Sequence, residues 1–309
     1  RVKKCPECLQ YEVKKNGRRQ GVQTYKCVWC GHKFQNTRRV GRLKTALLKQ
    51  YVWQRQTYAD LAKKYGHSKR WVQTKLSEDK AKPVIALNKQ GLVIVADTTF
   101  FSRTDGLTVF REPNVKKNVW WQATMHERAE VYLKGKHHLE KNGFVISAVV
   151  LDGRKGMREI FSGIPVQMCH FHQKQIVKRY LTMKPKLEAS RELKAITGTL
   201  PNTSEQKFTG ELVRWYEKWQ DFLKQKTTDP NTRRWCYTHK KVRAAYRSLK
   251  TNLPYLFTYQ KYPELSIPNT TNSLDGFFNR LKSLIYVHRG LRPERRMRMI
   301  VEILKGRNE

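Results

Sequence analysis

Two nearly continuous apolar runs in the middle of the chain indicate buried β-strands. The runs "GLVIVADTTFF" and "GFVISAVVLDG" lack the alternation of a half-exposed strand and are typical of strands covered on both faces. Between them lie the strand-like runs "LTVFREP" and "KNVWWQATMHE" and a helix from about 128 to 141; a helix around 158 to 161 and the strand "IPVQMC" follow. This is the element order of a ribonuclease-H-like fold, so we expect an α/β core whose first and fourth strands pair in parallel.

Before this core, apolar residues recur at helical spacing: Leu43, Leu47, Val52, Leu61, Ala62, Tyr65, Trp71, Val72 and Leu76. The pattern predicts a helix from Tyr58 to Tyr65 that stops at Gly66, and a second helix capped by Ser68. This layout favours a helix-turn-helix whose second helix enters a major groove. That helix presents the DNA-binding candidates Lys69, Arg70, Gln73 and Lys75. A helical hairpin that serves only for packing is the alternative.

After the core strands, residues 185–265 are helical in pattern and predict an all-helical insertion. Its apolar stripe consists of Leu212, Trp215, Trp219 and Phe222. One later helix places Lys240, Arg243, Arg247 and Lys250 on a single face, where they can contact phosphates while the opposite face packs on protein. We expect Trp235 to pack in the core rather than to stack on an unpaired base.

The charge of the chain points to a polyanionic partner. There are 63 Lys and Arg against 25 Asp and Glu in 309 residues, a net charge of +38. Such charge opposes compaction unless a polyanion neutralises it, and nucleic acid is the leading candidate. The alternatives are a generically basic protein, such as a ribosomal one, and a membrane-surface binder. Ribosomal proteins are usually shorter and poorer in Trp, whereas this chain has 8 Trp and long apolar strands. A membrane span and a secretory leader are not visible, so we expect a cytoplasmic, nucleoid-associated protein.

Four cysteines have the spacing of a metal site. Cys5 and Cys8 lie in "CPEC", Cys27 and Cys30 lie in "CVWC", and eighteen residues separate the two pairs. Two such knuckles complete a tetrahedral four-cysteine site, so we predict structural Zn²⁺ rather than two disulfides.

Three aspartates are candidates for a second metal site. Asp97 and Asp152 each end a buried strand, and the parallel pairing expected for those strands brings the two carboxylates together. Such oxygen ligands favour Mg²⁺ or Mn²⁺. Asp275 lies in the first turn of a later helix, with Asn279 and the phosphate-facing Lys282 on the same face. Taken alone, Asp97 or Asp152 would also suit a helix or turn cap, and Asp275 would also suit the helix dipole.

Several motifs occur in one order over nearly the whole chain: "CPEC", "CVWC", "ADTTFF", "VVLDGRKG", "CHFHQKQIVKRYLT", "RRWCYTHKKVRAAYRSLK", "LPYLFTY" and "NTTNSLDGFFNRLK". With them the chain resembles bacterial insertion-sequence transposases of the Mutator-like type, in the variant with an amino-terminal zinc ribbon. The resemblance implies a DDE-type catalytic triad of Asp97, Asp152 and Asp275, with Asp275 where the family usually has Glu. It also matches a Cys-x-x-His signature to Cys169 and His172, which either positions the sheet, contacts DNA or is a packed pair.

The resemblance implies a transposase that binds double-stranded DNA at the element ends and the target. It also implies Mg²⁺- or Mn²⁺-dependent strand cleavage and transfer, and a homodimer or larger assembly. The alternatives are a DNA-binding regulator with an inert core and a structure-selective nuclease. The expected domains are a zinc ribbon (1–40), a helix-turn-helix (41–80), the first part of the catalytic core (90–184), an all-helical insertion (185–265) and the last part of the core (266–309).

Overall fold

The structure is a computed structural model that describes residues 4–19, 21–35, 38–77, 89–154, 156–228, 230–288 and 290–305. These residues form two compact units. One unit consists of described residues within 4–77 and 284–303, and the other of described residues within 89–283 together with 304–305. None of the described helices is long and apolar enough to cross a membrane.

The first unit begins with a small antiparallel sheet and continues with three helices. The sheet has the order β1-β2-β3. The elements are β1 (Val13–Arg19), β2 (Val22–Cys27), β3 (Lys33–Gln35), α1 (Arg38–Val52), α2 (Tyr58–Tyr65) and α3 (Lys69–Ser77). A short sheet beside the cysteine pairs gives the knuckles a fixed base.

Helix α2 has the bounds that the sequence predicts, because both of its ends carry capping residues. At its start, Thr57 and Asp60 form a capping box, in which each side chain accepts a hydrogen bond from the other residue's backbone N–H. At its end, Gly66 adopts a left-handed conformation with φ of 66°. Leu61 and Val72 are fully buried, so α2 and α3 pack through the predicted apolar positions.

The second unit contains a five-stranded mixed sheet. Its strands are β4 (Leu92–Ser102), β5 (Asp105–Glu112), β6 (Lys117–Thr124), β7 (Ile146–Leu151) and β8 (Val166–Met168). Their order is β6-β5-β4-β7-β8, with β4, β5 and β6 antiparallel and β4, β7 and β8 parallel. The α/β class and the parallel pairing of the first and fourth strands, both predicted from the sequence, are confirmed.

One prediction about the first strand is wrong: β4 does not end at Asp97 but continues to Ser102. The antiparallel partner β5 extends the ladder, and Asp97 pairs there with Val109. The parallel partner β7 does end at Leu151, just before Asp152. Asp97 therefore lies within a strand, but at the level where its parallel neighbour stops.

Two helices cover one face of this sheet. Helices α4 (Ala129–Lys141) and α5 (Met157–Ile160) follow β6 and β7. Buried residues of α4, such as Tyr132 and Leu139, share a core with Leu92, Ile94 and Ala96 of β4. Since strand side chains alternate, Val93, Val95 and Asp97 face the opposite side of the sheet.

The second core lies among the helices that follow β8. They are α6 (His170–Leu181), α7 (Glu188–Gly198), α8 (Glu205–Lys224), α9 (Lys240–Leu256) and α10 (Thr258–Lys261), with short 3₁₀ turns at Leu200–Asn202 and Pro263–Leu265. The chain continues into α11 (Asn272–Val287) and α12 (Pro293–Leu304). Trp215 and Leu212 belong to this core, as the apolar stripe predicts.

The prediction that residues 185–265 are all helical is wrong at one place. Between α8 and α9 the chain forms a two-stranded antiparallel hairpin, β9 (Lys226–Thr228) and β10 (Trp235–Tyr237). The expectation that Trp235 packs in the core is also wrong, because this side chain is 55% exposed. The hairpin carries Trp235 outward from the helical core.

Candidate functional site

The four cysteines come together as the spacing predicts. Their sulfur atoms all lie within 4.8 Å of one another. The Cys5–Cys30 and Cys8–Cys27 sulfur distances are 3.6 and 3.5 Å. A disulfide needs about 2.05 Å, whereas four thiolates around one zinc ion at about 2.3 Å stand about 3.8 Å apart. The four cysteines therefore could hold a tetrahedral ion such as Zn²⁺.

The pKa values of these thiols have opposite shifts. A hydrogen bond from the backbone of Cys30 lowers the pKa of Cys27 to about 7. The pKa of Cys30 rises to about 12, since burial and the three other sulfurs outweigh a backbone hydrogen bond from His32. Without a cation, the four thiols cannot all ionise together, and a bound ion would remove that conflict.

Asp97 and Asp152 stand side by side in the sheet of the second unit. In the parallel pairing, Ile94 aligns with Val149 and Val95 with Val150. Asp97 and Asp152 are each two residues further along, and neighbouring strands lie about 4.8 Å apart. The register therefore puts both carboxylates at one level, on one face of the sheet.

Burial dominates the electrostatics of Asp97. Burial raises the pKa of Asp97 to about 7, and the charges of Glu127 and Asp152 act in the same direction. The Thr98 backbone N–H, 2.7 Å from Asp97 Oδ1, and the positive charge of His172 oppose the rise. Asp152 accepts a hydrogen bond of 3.0 Å from the backbone N–H of Arg154. Each carboxylate keeps further lone pairs for a cation.

Glu127 is a member of this group that the sequence analysis missed. Its carboxylate accepts a 2.7 Å hydrogen bond from the Tyr132 hydroxyl and forms a 2.9 Å ion pair with Arg154. Burial raises the pKa of Glu127, and the charge of Asp152 adds to the effect. Glu127 lies in a loop at the end of "KNVWWQATMHE", and neither periodicity nor spacing distinguishes it.

Asp275 reaches the same edge of the sheet through a chain of contacts. The Cys169 backbone N–H donates to the carbonyl of Leu151, the neighbour of Asp152, at 2.9 Å. The Cys169 sulfur lies 3.4 Å from the Thr271 hydroxyl and accepts from the Thr271 backbone N–H at 3.3 Å. The Thr271 hydroxyl in turn donates to Asp275 Oδ2 at 2.9 Å. Cys169 thus ties the start of α11 to the strand that carries Asp152.

The two residues of the Cys-x-x-His signature have different roles: Cys169 positions its neighbours, and His172 supplies a positive charge. Cys169 is fully buried, so its side chain has no surface to offer DNA. Burial alone would raise the pKa of the Cys169 thiol, but the neighbouring His172 and the contact with Thr271 hold it below its ordinary value. The neighbouring Cys169 raises the pKa of His172 to about 9, and the charges of Asp97 and Asp152 contribute. His172 is therefore a cation facing the two aspartates.

The three predicted triad members do not form a closed ligand cluster. Within the described ranges, the four cysteines are the one group of three or more His, Cys, Asp or Glu whose ligand atoms all lie within 4.8 Å of one another. Asp97 and Asp152 are direct neighbours, whereas Asp275 is connected to Asp152 through Thr271 and Cys169.

The predicted DNA-binding residues of the first unit lie on α3. Lys69 and Arg70 are exposed, and Gln73 and Lys75 are half-buried. The Ser68 hydroxyl caps the helix by accepting from the backbone N–H of Trp71 at 3.2 Å. The ring of Trp71 stacks on His67 at 3.8 Å, and this contact braces the start of the helix.

The remaining predicted cations belong to the second unit. On α9, Lys240 and Arg247 are exposed and Arg243 is half-buried. Lys282 on α11 is exposed, seven residues after Asp275. Two turns of helix bring positions seven apart onto the same face, so Lys282 and Asp275 share a side of α11.

No family model matches this chain, and no curated protein matches it. Among solved structures, a Drosophila P element transposase strand transfer complex is similar over 87% of this chain and 92% of that chain, with 13% sequence identity and a TM-score of 0.41.

Proposed function

We propose that this protein is a DNA transposase of the bacterial Mutator-like DDE type, with a ribonuclease-H-like core. It binds the terminal inverted repeats of a mobile element and catalyses metal-dependent DNA strand cleavage and strand transfer. The observation that carries this proposal is the pair of Asp97, within β4, and Asp152, directly after the parallel strand β7, at one level of the sheet in a chain of net charge +38. A basic protein that keeps two carboxylates together in a largely buried site gains from a cation between them.

The donor set fits a hard divalent cation. Carboxylate oxygens suit Mg²⁺ or Mn²⁺, and Asp97 and Asp152 have lone pairs to spare. Asp275 is the proposed third ligand. When bound, such ions activate the attacking oxygen and stabilise the leaving oxygen of an in-line displacement at phosphorus.

The neighbouring side chains have separate roles in this proposal. His172 offsets the charge of Asp97 and Asp152 before a metal binds. Glu127 holds Arg154 next to Asp152 through the 2.9 Å ion pair. Arg154 is therefore engaged in an ion pair beside the aspartates.

DNA recognition is assigned to the amino-terminal modules. Cys5, Cys8, Cys27 and Cys30 would hold a structural Zn²⁺ that keeps the small sheet folded. Helix α3 would enter the major groove, where Arg70 and Gln73 have the side chains that read base edges. The proposal includes the domains expected from the sequence: a zinc ribbon (1–40), a helix-turn-helix (41–80), and a catalytic core (90–184 and 266–309) interrupted by an insertion (185–265).

The test is a cleavage and joining assay on labelled DNA that carries the sequences flanking this reading frame. With Mg²⁺, the parent protein should cut at the element ends and join the freed 3′ ends to a target. Asp152→Asn should lose both activities, by a factor of about 10³ or more, since a metal ligand is lost. Asp221→Asn is the matched control, because Asp221 is 90% exposed and pairs with Lys224 on α8.

The two alternatives give other outcomes. A regulator with an inert core would bind the end sequences and cut them with neither Mg²⁺ nor Mn²⁺. A structure-selective nuclease would cut branched DNA without joining ends. If Asp152→Asn cuts and joins as well as the parent, the assignment of Asp152 is wrong.

A further inference from the structure

A cleft between α8 and α9 has the composition of a small-ligand site. Its volume is about 290 Å³, and its walls include Tyr216 from α8 and Arg243, Tyr246, Arg247 and Lys250 from α9. This volume is at the lower end of the range for ligand pockets. The cleft is therefore suited to one compact ligand.

One wall of the cleft is the outer end of a stack of aromatic rings. Trp215 is buried and stacks on Tyr246, with ring centroids 5.4 Å apart. Tyr246 also stacks on Tyr216 at 4.9 Å and an interplanar angle of 11°. Tyr216 is 37% exposed, and Tyr246 covers one of its faces. A planar ring that enters the cleft can extend this stack.

The other wall is cationic. Arg243 is held in place, because Nη1 donates to the carbonyl of Leu223 at 2.6 Å and the guanidinium lies 3.5 Å from the ring centre of Tyr237. Arg247 and Lys250 are exposed, and within the described part of the chain neither is in an ion pair. The described lining contains three cations and no carboxylate. This wall therefore favours an anion such as phosphate.

The hairpin beyond Arg243 adds a second exposed aromatic ring. Tyr237, on which Arg243 rests, contacts Trp235 edge to face at 5.4 Å. Lys226 lies 4.0 Å from the ring centre of Trp235, which is itself 55% exposed. Alternating rings and cations are the arrangement that binds unpaired nucleic acid strands.

We propose that this cleft binds one nucleoside phosphate unit, with the base stacked on Tyr216 and the phosphate contacting Arg247 and Lys250. The unit comes either from an unpaired DNA strand or from a free nucleotide, and both sources share this chemistry. A binding site for a single unpaired base goes beyond the contact with phosphates that the sequence predicts for the cations of α9. It also stands apart from the proposed strand cleavage, because no residue of the cleft is among the aspartates.

The experiment measures binding of the full-length protein to a labelled single-stranded oligothymidylate by fluorescence anisotropy. Divalent metal is left out, so that no cutting occurs. Tyr216→Ala should weaken binding by about 5- to 150-fold, the range for loss of one stacked base, whereas Tyr216→Phe keeps the ring and should bind as the parent does. Thermal unfolding of each variant shows whether the fold is intact.

Charge variants separate the cleft from the general basic surface. Arg247→Ala and Lys250→Ala should each weaken binding more than Lys241→Ala, the matched control, because Lys241 is an exposed cation of α9 outside the cleft lining. Equal losses for the three variants, together with unchanged binding by Tyr216→Ala, would overturn the proposal.

A second arm identifies the source of the ligand. Free thymidine 5′-monophosphate is titrated against the parent and Tyr216→Ala. If it competes with the oligonucleotide and needs Tyr216, the cleft takes free nucleotides. If the oligonucleotide alone needs Tyr216, the site belongs to an unpaired strand. Either result supports the site, and it would stand even if the protein failed to cut DNA.

Discussion

Replacing Asp97 by asparagine removes a charge that the folded protein holds at an energetic cost. Burial raises the pKa of Asp97 from an ordinary value of 3.8 to about 7. One pKa unit corresponds to about 1.4 kcal/mol, so ionised Asp97 destabilises the metal-free folded state by up to about 4 kcal/mol. Solvent reaches part of the carboxylate and reduces this cost. We therefore expect Asp97→Asn to raise the free energy of unfolding by about 2–4 kcal/mol at about pH 8.

The stability cost of ionised Asp97 depends on pH. A carboxyl with a raised pKa in the folded state causes no loss of stability below its unfolded pKa, near 3.8. The loss grows as the pH rises and is complete above about 7. The stability difference between Asp97→Asn and the parent should thus increase between about pH 4 and 7. Urea unfolding measures it, and amide hydrogen exchange of β4 assigns it to the second unit.

Magnesium should reduce the difference in the free energy of unfolding between the parent and Asp97→Asn that the metal-free proteins show. A ligand at about 100 times its dissociation constant stabilises the folded state by about 2.7 kcal/mol. We expect Mg²⁺ to stabilise the parent and to have much less effect on Asp97→Asn, which also loses strand cleavage.

An equal pH dependence of stability in the two proteins would refute the pKa reasoning, and equal stabilisation by Mg²⁺ would exclude Asp97 as a ligand. Asp221→Asn, a change at a side chain 90% exposed, should follow the parent within about 0.5 kcal/mol.

Four further predictions test the scaffold. Cys27→Ser should reduce the zinc content, measured by elemental analysis, from one ion to none and should lose protection of the small sheet in hydrogen exchange. Gly135→Ala should destabilise the protein by about 1–3 kcal/mol in urea, because the added carbon would meet Phe110 at 2.6 Å. By contrast, Gly210→Ala on α8, whose nearest neighbour would be a flexible arginine tip at 3.5 Å, should be neutral or stabilise by up to about 1 kcal/mol. Thr57→Ala removes the capping box of α2 and should cost about 1 kcal/mol, seen as faster amide exchange in that helix.

Helices α2 and α3 could be predicted closely because the signals for their ends are local. Thr57, Gly66 and Ser68 define helix ends within a few residues of sequence. The strand that precedes Asp152 was predictable for the same reason, because its apolar run and the residues that end the strand are adjacent in the sequence. Asp97 was misjudged as a strand end because the continuation of β4 depends on pairing with β5, which is tertiary information.

The features of the fold and of the site that the sequence did not predict depend on contacts between distant residues or on weak local signals. Glu127 joins the site through Tyr132 and Arg154, which lie on other elements. Strands β9 and β10 have three residues each, too few for a period to emerge. The contact of Cys169 with Thr271 spans 102 positions, and the sequence holds no sign of it.

The location of a bound divalent ion tests the central claim most directly. A crystal grown with Mn²⁺ and measured at the manganese absorption edge would locate the ion by its anomalous signal. We expect a peak within about 2.2 Å of an oxygen of both Asp97 and Asp152. Well-occupied manganese elsewhere, with both carboxylates free of metal, would contradict the proposed catalytic site.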